Sequence, residues 1–295
     1  MKERFIHKDF HTNSLSQIQT INEILDEYKT QGFDLSLRQL YYQLVVRNYI
    51  PNTKGSYKNL GNLLRNARLA GLVDWSMIVD RSRSQIIQPY WRNPKDILDD
   101  VVSWFQINPW ENQPVHMEVM IEKDALSGIL IPVTRQQGIY FTATIGYPSI
   151  SILHRMSKRL LRYLDEGKDI YILHMADHDP SGIDMTRDLA DRLEMFTGFP
   201  VTVERLALTS TQIERYDPPE NPVKLKDTRA NTYIEEYGYS SWELDALDPS
   251  VLAELVNNFV DRHRDEDLWQ ESLGKEEEMR KSLDTFVSTW KEEKS

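Results

Sequence analysis

The stretch HMADHDPSG (residues 174–182) closes an apolar run, KDIYILHMAD, with two aspartates one residue apart, then turns through Pro180 and Gly182. Alternate side chains of an extended chain share a face, so Asp177 and Asp179 point the same way. Carboxylates that close repel and raise each other's pKa unless positive charge lies between them. A held cation meets that demand; so does a loop in which water screens both groups. The near-continuous apolar run ahead of them reads as a strand of a parallel sheet covered on both faces.

Outward from this stretch the rhythm repeats. VHMEVMIE (115–122) alternates, with Val115, Met117, Val119 and Ile121 on one face. A helix follows over 124–137, then the strand IYFTATIG (139–146) and the helix SISILHRMSKRLLRYLDEG (149–167). Past the central stretch come the helix GIDMTRDLADRLEMF (182–196) and the strand PVTVERLAL (200–208). Strands alternating with helices predict an α/β fold around a parallel sheet. Functional groups gather at the carboxyl ends of such strands. Glu122 ends the first strand, and Asp177 and Asp179 end the third. If those strands are neighbours, three carboxylates meet at one edge. A site of carboxylate oxygens, without sulfur or a dedicated imidazole, suits Mg²⁺, with Mn²⁺ as a substitute. Lys123 is placed to offset negative charge nearby. The metal reading requires Glu122 to lie beside the 177/179 pair, with no lysine ion pair filling the space. The plainer alternative is a set of solvated carboxylates. His174 and His178 are expected to pack or to orient neighbours, since His178 alternates away from the aspartates.

The amino-terminal part differs in charge. Residues 1–95 sum to +6 and the other 200 to −17, within a total of −11. That asymmetry predicts a basic module joined to an acidic one, or scatter plus an acidic tail. The chain has no cysteine, which removes disulfides and Cys-ligated zinc. It shows no secretory leader and no apolar run near the ~20 residues of a membrane span. A soluble cytoplasmic protein is expected.

Three helices are expected in the basic part: 14–31, capped by Ser14 and ended by Gly32; a second after Ser36; and SYKNLGNLLRNARLAG (56–71). LVDWSMIVDRSR (72–83) then reads as one or two short strands. This order matches a winged helix, whose third helix enters the DNA major groove while basic side chains hold phosphates. Lys54, Lys58, Arg65 and Arg68 are the candidate DNA contacts. The same pattern fits a small helical domain with a solvated basic face. Residues 84–112 read as a connector, and the region past 210 as mostly helical, ending in a surface helix that frays.

In SLRQLYYQLV (36–45), Leu37, Leu40, Tyr41, Leu44 and Val45 form one apolar stripe, and Tyr42 lies about 130° from its centre. Arg38 sits one turn before Tyr42 on the same flank. An exposed phenol whose pKa a guanidinium lowers is a candidate nucleophile toward a phosphodiester. A boundary tyrosine with an i,i+4 neighbour is the plainer explanation of the pair, and on the sequence alone it prevails.

These pieces occur together in a known family. EK (122–123) after a strand, GYPS (146–149) opening a helix and ADHDPSG (176–182) after a strand resemble the TOPRIM domain of topoisomerases, bacterial primases and some nucleases. SLRQLYY (36–42) ahead of that domain resembles the catalytic subunit of type IIB topoisomerases and the related meiotic double-strand-break transesterase. KDTR, YG and SWELDAL, between 226 and 247, look like the closing part of the module. The resemblance covers roughly residues 35–250. It implies a winged-helix domain over 1–95, a TOPRIM domain over 113–250 and a helical extension over 251–295. It also implies that Tyr42 forms a 5′-phosphotyrosyl link, assisted by Arg38 and Glu122, while Glu122, Asp177 and Asp179 hold Mg²⁺. In that family the tyrosine of one subunit works with the metal site of its partner, so a homodimer is implied. An ATPase subunit governs the full topoisomerase reaction, and nothing in this chain resembles it. Other TOPRIM proteins cut DNA by hydrolysis, including nucleases of bacterial defence systems, and a non-enzymatic DNA-binding regulator is the third alternative.

Overall fold

A computed structural model describes residues 2–78 and 88–290 of the 295-residue chain. It begins with helix α1 (Thr12–Thr30), α2 (Leu37–Val46) and α3 (Lys54–Leu69). The first starts earlier than Ser14 predicts: His11 precedes it, and no side chain caps it. Ser36 caps α2 as expected, and Gln39 completes a reciprocal capping box. Thr53 caps α3. Ile18, Ile21, Leu25, Tyr28, Leu40, Leu44, Leu60 and Leu64 fuse the three helices into one buried cluster.

After α3 the expected strands of a wing are not found in the described residues. Trp75–Met77 is a 3-10 turn, and Ile78 makes one isolated parallel bridge to Leu35. The remainder of that expectation, residues 79–83, lies outside the described residues. The expected connector contains a helix, α4 (Pro94–Trp104), capped by Asn93 and started by Pro94. None of its residues is buried, and it rests against the carboxyl-terminal helix. The apolar stripe of α4, Ile97, Leu98, Val101 and Val102, is short and stands between proline- and asparagine-rich stretches that read as a connector.

The α/β unit follows: β1 (Val115–Ile121), α5 (Ser127–Gln136), β2 (Tyr140–Ala143), α6 (Ile150–Asp165), β3 (Asp169–Met175), α7 (Pro180–Thr197) and β4 (Thr202–Ala207). The strands form one parallel sheet in the order β2-β1-β3-β4. Every residue of β1 is buried, as expected for a strand with layers on both faces. One layer contains Leu126, Ile129, Leu130, Val256 and Phe259; the other contains Leu153, Met156, Leu160, Leu189 and Leu193.

The remainder comprises α8 (Ser210–Tyr216), β5 (Glu220–Pro222), α9 (Ala230–Tyr237), β6 (Ser240–Trp242), α10 (Pro249–His263) and α11 (Glu266–Thr289). β5 and β6 pair antiparallel. A 3-10 turn, Leu244–Ala246, leaves β6 and lies against α2, with Ala246 entering the amino-terminal cluster. This turn joins the two halves at the site. Among the described residues, no helix is long and apolar enough to cross a membrane.

Candidate functional site

β1 and β3 are direct neighbours, with Ile121 paired to Met175. Their ends are stitched together past the ladder. Glu122 N–H donates to the Met175 carbonyl at 3.0 Å, and Asp177 N–H donates to Glu122 Oε2 at 3.2 Å. Asp177 Oδ1 accepts Leu244 N–H at 2.8 Å, so the turn after β6 is fastened to the same point. Asp179 caps α7: its Oδ1 accepts Gly182 N–H and the Ser181 hydroxyl, both at 2.8 Å. Its Oδ2 lies 3.8 Å from the exposed Lys224 ammonium. The sheet edge therefore brings Glu122 and Asp177 into contact, with Asp179 two residues on.

Arg205, from β4, fixes the backbone of this turn. Its guanidinium donates to the carbonyls of Ala176 (3.2 Å), Asp177 (2.6 Å), Gly182 (2.8 Å) and Leu208 (3.0 Å). Burial pulls its pKa down to about 10, which still leaves it charged at neutral pH. Gly182 is dictated by contact: a Cβ there would stand 2.1 Å from the Asp177 carbonyl oxygen.

A lysine does enter the space between the carboxylates. Lys123 Nζ lies 2.7 Å from Asp177 Oδ1 and 3.1 Å from Asp245 Oδ2, and it also contacts Glu243 Oε2. Of the two conditions set by the metal reading, adjacency is met and the absence of a lysine ion pair is not. Among the described residues no three His, Asp or Glu side chains stand arranged as a metal cage. The donor set still has the right chemistry. Asp245 Oδ1 is buried with no hydrogen-bond partner. Five carboxylates (Glu122, Asp177, Asp179, Glu243, Asp245) stand against three cations paired with them, Lys123, Arg38 and the exposed Lys224, with the Arg205 guanidinium on the backbone carbonyls of the turn. Mg²⁺ held by Glu122, Asp177 and Asp179 would share Asp177 with Lys123.

Burial raises the pKa of Asp177, opposed by Lys123, and burial likewise raises Glu122, opposed by the Asp177 N–H and Lys123. Burial works against the charge of Lys123, but Asp245, Asp177 and Glu243 outweigh it and hold its pKa above the ordinary lysine value. Glu243 is also pushed up by burial, yet Lys123 and Arg38 bring it down to about 2.

The network continues to α2. Arg38 Nη2 lies 2.5 Å from Glu243 Oε2, and Arg38 Nε lies 2.8 Å from Asp245 Oδ2. The guanidinium carbon is 5.8 Å from the centre of the Tyr42 ring. Arg38 and Tyr42 share a flank, as the helical spacing predicts. The expected exposure of Tyr42 is not found: it is only 5% exposed. The Leu244–Ala246 turn, two hundred residues on in sequence, covers the face of α2 that its own stripe leaves open. The expected lowering of the phenol's pKa is reversed as well. Burial, seconded by Glu243, raises it to about 12 against the pull of Arg38 and Lys123. Tyr42 lines a cleft of about 340 Å³ with Arg38, Asn52, Lys54, Tyr57 and Glu243. Tyr41 is buried as expected, and its hydroxyl donates to Asn52 Oδ1 and the Thr53 carbonyl.

Lys54, Lys58 and Arg65 are exposed along one face of α3. Arg68 lies on the same flank, but its guanidinium is engaged within the protein. It donates to the Trp75 carbonyl at 2.8 Å and stacks over the Trp75 ring at 4.5 Å, so it holds the following turn in place. His174 bonds Thr186, and His178 bonds Tyr233 and Ser210, both as packing groups.

Sequence reasoning missed three residues of this site. Arg205 is visible as the one cation in the strand PVTVERLAL, beside Glu204. Glu243 and Asp245 repeat the one-apart acidic spacing of Asp177 and Asp179, within SWELDAL. Fold and site together define an α/β protein with a carboxylate cluster at the carboxyl edge of a parallel sheet, joined through Arg38 to a tyrosine on a separate helical cluster. No protein-family model matches the chain, and no curated protein matches it either.

Proposed function

We propose that this protein is a divalent-metal-dependent enzyme that cleaves DNA by tyrosine transesterification, with a winged-helix-type module carrying Tyr42, a TOPRIM-type domain carrying the carboxylates, and a homodimer as the working form. The observation that supports this reading is the line of contacts, within one chain, from Glu122 and Asp177 through Lys123 and Glu243 to Arg38 beside Tyr42; the pairing across a homodimer rests on the family resemblance alone. Glu122, Asp177 and Asp179 would hold Mg²⁺, which when bound offsets the charge of the phosphate. The Tyr42 oxygen attacks phosphorus, a phosphotyrosyl bond forms, and the P–O3′ bond breaks. The released 3′ oxygen takes a proton, so charge and atoms balance. With a pKa near 12, Tyr42 is neutral at pH 7, and its proton must leave as the bond forms. Arg38, held by Glu243 and Asp245, supplies fixed positive charge beside the Tyr42 ring. Lys54, Lys58 and Arg65 would grip the DNA backbone.

A second reading has water as the nucleophile, with Tyr42 packing or positioning DNA. The deep burial and high pKa of Tyr42 favour it. Both readings are tested on supercoiled plasmid with Mg²⁺ or Mn²⁺. Wild type should nick or linearise the plasmid, and Asp177→Ala should lose about 10²-fold or more of that activity. Intact DNA binding without cutting under either metal would refute both readings and leave a DNA-binding regulator.

A further inference from the structure

The cleft beside Tyr42 has a wall to which the cleavage reading gives no task. Tyr57, on α3, lines it together with Tyr41, Tyr42 and Lys54. On the helical wheel Tyr57 stands between the buried stripe of Leu60, Leu64 and Ala67 and the basic line of Lys54, Lys58 and Arg65. The three residues of the stripe are at most 4% exposed, whereas Tyr57 is 38% exposed. The open ring is nevertheless held in place. It meets Tyr41 edge to face, with centroids 5.2 Å apart and planes at 89°. Tyr41 is anchored in turn by its hydroxyl, which donates to Asn52 Oδ1 and to the Thr53 carbonyl. Lys54 belongs both to the cleft and to the basic line, and among the described residues its ammonium has no ion-pair partner.

We infer, resting on the reading of α3 as a DNA-gripping face, that this cleft takes one unpaired nucleobase of DNA, stacked on Tyr57, with the adjoining phosphate on Lys54. The substrate class that follows is DNA with an unstacked nucleotide beside the phosphate that meets Tyr42. A volume of about 340 Å³, at the low end of the ~300–1,000 Å³ of small-ligand sites, admits one nucleotide and excludes a duplex. A fixed aromatic ring next to a cation is the pairing that single-stranded nucleic acid uses: bases of any sequence stack on the ring, and the cation follows the backbone. Lys58 and Arg65 lie about one and three turns beyond Lys54 on α3, so a strand gripped along that line is led to the cleft mouth. DNA whose base is already unpaired is favoured, because no pairing has to be broken before the base enters.

The test uses the full chain in chelator, where no metal-dependent cutting occurs, and fluorescence anisotropy with three labelled duplexes of one sequence. One is fully paired, one carries a single extra unpaired thymine, and one carries an abasic site in place of that thymine. The thymine-bulge duplex should bind about 5- to 150-fold tighter than the abasic-bulge duplex, the worth of one base–aromatic stack. Tyr57→Leu should erase that difference, and Tyr57→Trp, which keeps a stacking face, should retain it. Equal binding of the two bulges by wild type, or a preference that survives in Tyr57→Leu, would overturn the inference. Where Tyr57→Leu does not fold, the two bulges compared on wild type and Tyr57→Trp decide. Tight binding that ignores the base refutes the stacking subsite alone. Failure to bind any of the three duplexes refutes the DNA reading and the subsite with it.

Discussion

Gly182→Ala tests whether the turn that presents Asp177 and Asp179 is as tightly determined as its geometry requires. The added Cβ would meet the Asp177 carbonyl oxygen at 2.1 Å, against about 3.4 Å for ordinary contact, so one of them must move by more than an ångström. The carbonyl cannot yield cheaply, because Arg205 holds it at 2.6 Å and holds the Gly182 carbonyl at 2.8 Å. Overpacking costs about 1–3 kcal/mol, and a loosened hydrogen bond to a charged donor about 1.5–3 more. Replacing glycine within a helix returns about 1 kcal/mol. The net expectation is a loss of roughly 1.5–5 kcal/mol, read as the shift in urea midpoint by circular dichroism and tryptophan fluorescence. Gly61→Ala is the control. Its Cβ meets only the Leu37 side chain, at 3.4 Å, and its cost should stay within about 1 kcal/mol. A Gly182→Ala protein as stable as the control would refute the proposed clamp.

Three further outcomes are expected. Arg159 places a guanidinium on the wholly buried Glu118, at 2.7 and 2.6 Å, where His116 is the other partner at 3.0 Å, so Arg159→Met should destabilise by about 3 kcal/mol in urea unfolding. Burial depresses His174 to about 3 and His178 to about 4, from an ordinary value of 6.5. The unfolded chain then binds protons that the folded chain refuses. Stability should fall as pH drops below 6.5 toward 4, by about 1.4 kcal/mol per pH unit for each imidazole, and stay level above 6.5 with respect to these groups. Because Asp177 and Glu122, raised on folding, act with the opposite sign, the check is a comparison: a His174→Gln/His178→Gln variant losing as much stability as wild type between pH 7 and pH 5 would contradict this. On DNA, replacing Lys54, Lys58 and Arg65 by alanine should flatten the slope of log K against log salt by nearly one per residue. Arg68→Ala should leave that slope unchanged and lower the melting temperature instead, because Arg68 holds Trp75.

The sheet was legible because its strands are regular and covered on both faces: alternation in VHMEVMIE and the run KDIYILHMAD lead directly to β1 and β3. Convergence of Glu122 with Asp177 followed from placing both at the carboxyl ends of neighbouring strands, and the β1–β3 pairing delivers it. The exposure of Tyr42 was not legible, because α2 is covered by Leu244–Ala246, and no local pattern reports a partner two hundred residues away. Helix α4 carries an apolar stripe, Ile97, Leu98, Val101 and Val102, that could have been read, but it is short and lies between QPYWRNP and NPWENQP, whose prolines and asparagines read as a connector. Lys123 was visible as a compensating charge. Its seat between Asp177, Glu243 and Asp245 depends on where the chain after β6 returns, a question of tertiary structure alone.

The central claim is that Tyr42 becomes joined to DNA beside a carboxylate-held metal. Supercoiled plasmid incubated with the protein and Mg²⁺ or Mn²⁺ should release cut ends only after protease treatment, and Tyr42→Phe should abolish them. Free ends without protease, cut equally well by Tyr42→Phe, would contradict the claim.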